Sequence, residues 1–431
     1  MRNLTAPDGG TPKIIESEAQ FSQALQDLAG GSGPIAIDAE RASGFRYSPR
    51  AYLIQLNRRN GGLHLLDPIA LRNSPLIEKL SKLISENESI IHASSQDLPC
   101  LREFGIFPEK LFDTELGARI AGFPKVGLAP LCENLLEISL AKEHSAVDWS
   151  IRPLRSEWLD YAALDVAVLI DLRDKIEAAL HDSGKLAWAE EEFAAALKME
   201  LLKSRPEPWR RTSGMHQIRS RFELALIRAL WQARDEIAKE IDLAPGRLLN
   251  DSVIIELARN KPKKREDFLD LPIVKMRIRN EIQSGYIDHW LVVLNEAYLI
   301  PEENWPEMRA RGESLPAPRI WREKFPIANA QLQHVRRNLA EVSEKYSIPQ
   351  ENLISPDTLK RIIFNSGREE TTTDSPIARQ KLADSLHSMG ARHWQIELVV
   401  EAILKAQGET EPPIAPIVDE IEPTEAENPA T

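Results

Sequence analysis

The chain changes its pattern once, near residue 200, and that change limits the folds open to it more than any other feature. Before it, short runs rich in β-branched residues alternate with helical segments. After it, the chain reads as helix almost throughout. The helical half also repeats itself. Leu243–Leu257 runs in register with Ile348–Ile362, setting Leu248 against Leu353, Ile254 against Leu359 and Leu257 against Ile362. A second echo, Gly285 with His289-Trp290 against Gly390 with His393-Trp394, falls at nearly the same offset. Two copies of one helical module, about 105 residues apart, account for both matches.

A chain of 431 residues has room for two to four domains, each with its own core. The expected division is residues 13–200 as a first α/β domain, 201–300 as a helical domain, 301–325 as a Pro-containing linker, and 326–408 as a second, more divergent helical domain. Residues 1–12 and the acidic tail 409–431 read as disordered, since the tail is rich in Pro and Glu and too poor in apolar residues to offset ordering entropy. Within the first domain, Pro34–Glu40, Tyr52–Leu56 and Leu63–Asp67 are strand-like and closely spaced, with Asn60-Gly61-Gly62 between the last two. They predict a three-stranded antiparallel meander. A helix near 75–84 and a strand at 90–92 follow, then helices to about residue 180. The fold class is α/β with a mixed sheet, followed by two all-α domains.

No apolar stretch is long enough to cross a bilayer, and the first residues lack the apolar core of a secretory signal, so a membrane role is not expected. Two cysteines, Cys100 and Cys132, are too few for a disulfide framework or a four-cysteine zinc site, and a reducing cytoplasm fits them. The formal net charge of −12 argues at first against a nucleic-acid partner. However, seven acids and no base lie in 409–431, while Lys203–Arg221 holds six bases against Glu207 alone and Arg259–Arg265 reads RNKPKKR. A phosphate backbone responds to such local potential rather than to the global sign.

Three acidic sites break the apolar pattern of the first domain. Strand alternation sends Asp38 and Glu40 to one face, although a strand end turning into a polar loop would explain that pair alone. Asp97 follows a strand at the start of a helix, where an aspartate also serves as a dipole complement. Asp165 shares a helix stripe with Trp158, Tyr161, Val168 and Leu172, where burying a carboxylate is costly without a partner. A core Tyr161–Asp165 hydrogen bond is the plainer account of that pair. One answer covers all three sites. Carboxylates that converge at a sheet edge repel one another unless they bind divalent cations, and an oxygen-only ligand set favours Mg²⁺ or Mn²⁺ over zinc. Two such ions suit phosphodiester hydrolysis.

Taken in order, Asp38-x-Glu40, His92-x4-Asp97 and Tyr161-x3-Asp165 resemble the three exonuclease motifs of the DEDD superfamily, tyrosine subclass. Tyr47–Leu56, the Asp113-Thr114 pair and Ala146–Leu154 are similar to the ribonuclease D family within it, and the two helical modules resemble its HRDC domains. The resemblance spans roughly residues 13–405. It implies an RNase H-like fold, two divalent cations, and 3′→5′ hydrolysis of RNA with a free 3′ end to nucleoside 5′-monophosphates, with structured RNA such as tRNA precursors as substrate. DNA stands as the alternative substrate, and a noncatalytic nucleic-acid scaffold as the alternative of another class. By the resemblance, Asp38 bridges both cations, Glu40 and Asp165 hold the one on the nucleophile side, Asp97 approaches the other largely through water, and Tyr161 positions the attacking water. Two departures are Ala39, where threonine is often found, and Gln96, where an acid is frequent.

Further residues carry weaker expectations. Phe45 is a candidate for stacking on the terminal base, with ordinary packing equally in view. Trp149 is a candidate for lining the cleft or for anchoring the helix after it. Arg259, Lys261, Lys263, Lys264 and Arg265 form a candidate nucleic-acid contact or a solvated loop. His92 is expected to satisfy local hydrogen bonds, and Trp231, Trp290 and Trp394 to sit in helical cores.

Overall fold

The computed structural model describes residues 1–140, 146–198, 206–308, 315–316, 318–366, 376–406, 409 and 411. Its strands are β1 Arg2–Leu4, β2 Ile14–Ile15, β3 Ser32–Arg41, β4 Ala51–Arg59, β5 Gly62–Leu66, β6 Glu88–Ile91, β7 Lys110–Asp113 and β8 Ile138–Leu140. Six of them form one mixed sheet in the order β2-β5-β4-β3-β6-β7. The meander expected from the sequence is β3-β4-β5, antiparallel throughout, with Asp38 opposite Gln55 and Glu40 opposite Leu53. The strands β6 and β7 then extend the sheet in parallel beside β3. Both faces of β3 are covered, so Ile35, Ala36 and Ile37 are all buried rather than alternating.

Four short strands, β1, β2, β7 and β8, departed from expectation. β7 sits in a stretch read as helix, because four residues bounded by helices give too little period to register. At the other end, Arg2–Leu4 is not disordered. It pairs in parallel with β8, Arg2 opposite Ile138 and Leu4 opposite Leu140, a long-range partnership with no local signature. The expectations for 141–145, 199–205 and most of 409–431 fall outside the described residues.

The helical half bears out the internal repeat in its main helices and the turn between them. Three short helices of the first copy, between 265 and 285, stand where the second has Pro376–Ser388. A long helix, Arg221–Glu240, is followed by a single turn ending at Leu248, then Asp251–Asn260 carrying Ile254 and Leu257, and later Ile287–Ala297 carrying Trp290. The second series runs Pro326–Tyr346, a turn ending at Leu353, Pro356–Ser366 carrying Leu359 and Ile362, and His393–Leu404 carrying Trp394. Trp290 and Trp394 are both buried, each anchoring its own module. The expected linker is partly structured: Pro318–Lys324 is helical, packs on Pro326–Tyr346 and buries Trp321.

The modules dock differently on the sheet domain. The first has a core of its own, built on Trp209, Leu230, Leu257, Phe268 and Trp290. It grips residues 44–48, which follow β3. Arg247 Nε donates to Gly44 O at 2.6 Å, Ala244 N to Phe45 O at 3.0 Å, Ser48 N to Asp242 Oδ1 at 2.8 Å, and Tyr47 OH to Asp235 Oδ2 at 3.1 Å. The second module instead shares one continuous core with the sheet domain. There Trp188 stacks on Trp394 at 5.3 Å, Glu192 receives both Arg392 Nη2 and Trp394 Nε1, and the buried Lys185 ammonium donates to Ile120 O and Tyr346 O.

Candidate active site

Parallel strands leave their carboxyl ends open beside the helices that follow, and ligand sites in such sheets collect there. β3 and β6 are parallel neighbours, and a cavity of about 450 Å³ opens beyond their ends. Asp38, Glu40, Asp97, Tyr161 and Asp165 all line it, together with Arg41, His92, Gln96, Leu128, Leu140 and Leu169. The three separate acidic sites of the sequence thus meet in one place.

Each arrives by a different local device. Asp38 and Glu40 share a face of β3 by alternation. Asp97 closes the loop after β6 and begins the helix Leu98–Phe104. That loop is held by Asp113 at the end of β7, whose carboxylate accepts from Ala93 N at 3.2 Å and Ser94 N at 2.7 Å. The same carboxylate caps its own helix through Glu115 N and Leu116 N. His92 Nδ1 pairs with Thr114 Oγ1 at 2.9 Å, so this histidine serves the scaffold as expected, and burial keeps it neutral. Tyr161 and Asp165 come from the helix Ser156–Ala167, which packs across β3, β4 and β5.

Carboxylate oxygens of Asp38, Glu40 and Asp165 lie within 4.8 Å of one another. Burial raises the pKa of every acid in the group. Asp38 rises to about 6, while Glu40, Asp97 and Asp165 rise well above the carboxylate range, each pushed further by charge on its neighbours. Asp97 and Asp38 lie within hydrogen-bonding reach of each other, and the Tyr161 hydroxyl donates to Asp165. A desolvated cluster of like charges is what a divalent cation relieves, and its all-oxygen donor set is that of a hard cation. Asp38, Glu40 and Asp165 fit such a group directly, and Asp97 borders it.

The weaker candidates fared unevenly. Trp149 does not line the cleft. It is 0 % exposed and packs on Trp158 at 5.6 Å, because the run before the Tyr161 helix needs an anchor. Arg152 finishes that anchor by a two-point contact with Asp67 and a bond to Trp149 O. Phe45 lies outside the cavity lining and has the Arg247 guanidinium 3.9 Å above its ring. Three bases of RNKPKKR are tied down within the first module, Arg259 to Glu256, Lys261 to Glu223 and Arg265 to Asp288, whereas Lys263 and Lys264 have no such ion pair among the described residues.

Arg41 is the lining residue that sequence reasoning passed over. Strict alternation sends it to the face opposite Glu40, but the β3–β4 register shifts between Glu40 and Arg41. A bulge of this kind re-aims a side chain. The one sequence signal was a charged residue directly after a buried Asp-x-Glu.

Similarity to known proteins points the same way. A family model described as 3′-5′ exonuclease matches residues 12–181, the HRDC domain model matches 223–282, and the model for the 3′ to 5′ exonuclease C-terminal domain matches 314–407. Ribonuclease D of Acidiphilium cryptum is 30% identical over 332 residues, covering 73% of this chain and 79% of that protein. A crystal structure of a protein from Bifidobacterium adolescentis superposes with TM-score 0.84 at 37% identity, covering 94% of this chain and 99% of the other. The Escherichia coli RNase D structure, described as an exoribonuclease involved in structured RNA processing, shares the fold at TM-score 0.65 and 24% identity, over 91% and 98% of the two chains. No described helix is long and apolar enough to cross a membrane. With its motifs gathered at one sheet edge and its domains in this order, the chain belongs to the ribonuclease D family of metal-dependent 3′→5′ exoribonucleases.

Proposed function

We propose that this chain trims the 3′ ends of structured RNA, such as tRNA precursors, in the cytoplasm, using two Mg²⁺ or Mn²⁺ ions. The convergence of Asp38, Glu40, Asp97 and Asp165 with Tyr161 in one open cavity carries this reading. Water attacks the terminal phosphodiester, the bond from phosphorus to the 3′ oxygen breaks, and a nucleoside 5′-monophosphate leaves an RNA one residue shorter. Asp38, Glu40 and Asp165 would hold the cations, Asp38 serving both and Glu40 and Asp165 the one nearer the attacking water, with Asp97 supporting the other. The cations supply charge stabilisation at the attacking and leaving oxygens. Tyr161, fixed one helical turn from Asp165, orients the water. The basic segments of the first helical module, Lys263 and Lys264 among them, contribute to holding RNA. The two buried thiols, Cys100 and Cys132, agree with a reducing compartment.

A time course on matched 3′-labelled and 5′-labelled RNA and DNA, with Mg²⁺, Mn²⁺ or EDTA, tests it. The 3′ label is expected to appear as mononucleotide from RNA, with a shortening ladder on the 5′-labelled strand and no reaction in EDTA. Faster DNA cleavage would reassign the substrate. RNA binding without cleavage under any cation would make the chain a scaffold.

A further inference from the structure

We infer that Arg41 is a phosphate-contacting residue of this site: its guanidinium takes the phosphodiester of the substrate's 3′-terminal nucleotide. The inference rests on the exonuclease function proposed above.

The guanidinium is incompletely partnered. Its Nη2 donates to Gln96 Oε1 at 3.2 Å, while Nε is shielded from solvent and hydrogen-bonds nothing. Asp97 Oδ1 stands 3.6 Å from that nitrogen, near enough for attraction but beyond a hydrogen bond. A shielded N–H on a cation is costly without an acceptor. The side chain as a whole is nevertheless 29% exposed and lines the cavity, so an incoming acceptor can reach the exposed part of the guanidinium, though not Nε itself.

Charge balance says which acceptor. Among the described residues lining the cavity, Arg41 is the one cationic side chain, since burial holds His92 neutral. Four carboxylates are balanced by two divalent cations, which leaves nothing for an anionic substrate. Arg41 adds one positive charge, and a phosphodiester brings one negative charge. The guanidinium fork also matches phosphate geometry in a way an ammonium does not.

Gln96 completes the argument. An acid at this position would form an ion pair with Arg41 and neutralise it. The carboxamide holds the guanidinium in place and leaves its charge available. The bulge at Glu40–Arg41 supports the same arrangement, since it turns a cation into a cavity otherwise lined by acids.

The test compares the full-length protein with Arg41→Gln and Arg41→Lys variants, using adenosine 5′-monophosphate and uncharged adenosine as probes in Mg²⁺. Calorimetric titration is expected to show adenosine 5′-monophosphate binding weakened about 10- to 100-fold by Arg41→Gln, the loss of one charge-assisted contact. Adenosine binding should hold, and Arg41→Lys should recover part of the loss. On RNA, KM should rise more than kcat falls. Mg²⁺ affinity without nucleotide should hold or tighten, because a competing cation has left Asp97. Equal weakening of both probes, unchanged phosphate binding or weakened Mg²⁺ affinity would each overturn the assignment, leaving Arg41 as a structural partner of Asp97. A wild-type protein that neither binds the nucleotide nor shortens RNA would instead overturn the exonuclease reading, and Arg41's role with it.

Discussion

Four carboxylates in one cavity repel one another, and without a metal ion they are relieved by protons and, in part, by the Arg41 guanidinium. Burial pushes the Asp38 carboxyl up to about 6, against 3.8 for the free side chain, and burial with mutual charge raises Glu40, Asp97 and Asp165 as well. The folded chain therefore binds more protons than the unfolded chain above about pH 4, and the cation-free protein loses stability as pH rises through about 6. Mg²⁺ should accordingly raise Tm more at pH 8 than at pH 5, and equal shifts at both would contradict the clustering. Asp38→Asn should bring RNA turnover to background while raising the Tm measured in EDTA, since it removes charge from a crowded site. Tyr161→Phe should slow turnover on the order of 10²-fold with Tm nearly unchanged. Single-turnover rates beside melting curves separate these effects.

The elements that deliver these side chains differ in how visible they were beforehand. Trp149→Ala should cost about 3–5 kcal/mol, because it empties the anchor under the Tyr161 helix. Urea unfolding would check this, and a change under 1 kcal/mol would place the ring outside the core. In the sequence Trp149 read equally well as a cleft residue, because an aromatic in a loop carries no period to say which way it faces. Asp38 and Glu40 were legible for the opposite reason: two-residue alternation fixes their shared face, and one-turn spacing fixes Tyr161 beside Asp165. Arg41 was not legible, since a one-residue register shift leaves no mark in a single strand's sequence. β1 was equally hidden, its partner lying more than 130 residues away. The helical repeat was readable because apolar spacing recurs in both copies, whereas the docking of each copy depends on contacts such as Lys185 to Tyr346 that no local pattern announces.

Three buried apolar clusters make two melting units in the whole molecule. The cluster around Trp149 and Trp158 shares the sheet with the largest one, while the first helical module keeps its own. The second helical module shares its core with the sheet domain, and the first does not. Calorimetry is expected to show the first module as its own transition, with Mg²⁺ shifting only the transition that contains Asp38 and Trp394. A single cooperative peak moved as a whole would show that the grip on residues 44–48 couples the units more tightly than their separate cores suggest. That grip also bears on how such chains can recombine. Four positions of the first module, Asp235, Asp242, Ala244 and Arg247, must meet one short loop, and that loop begins a few residues past Glu40. A module exchanged between relatives would have to bring all four in the same geometry, or leave the segment beside the carboxylates without its brace. Crossovers within 235–247 are therefore constrained by the neighbouring domain.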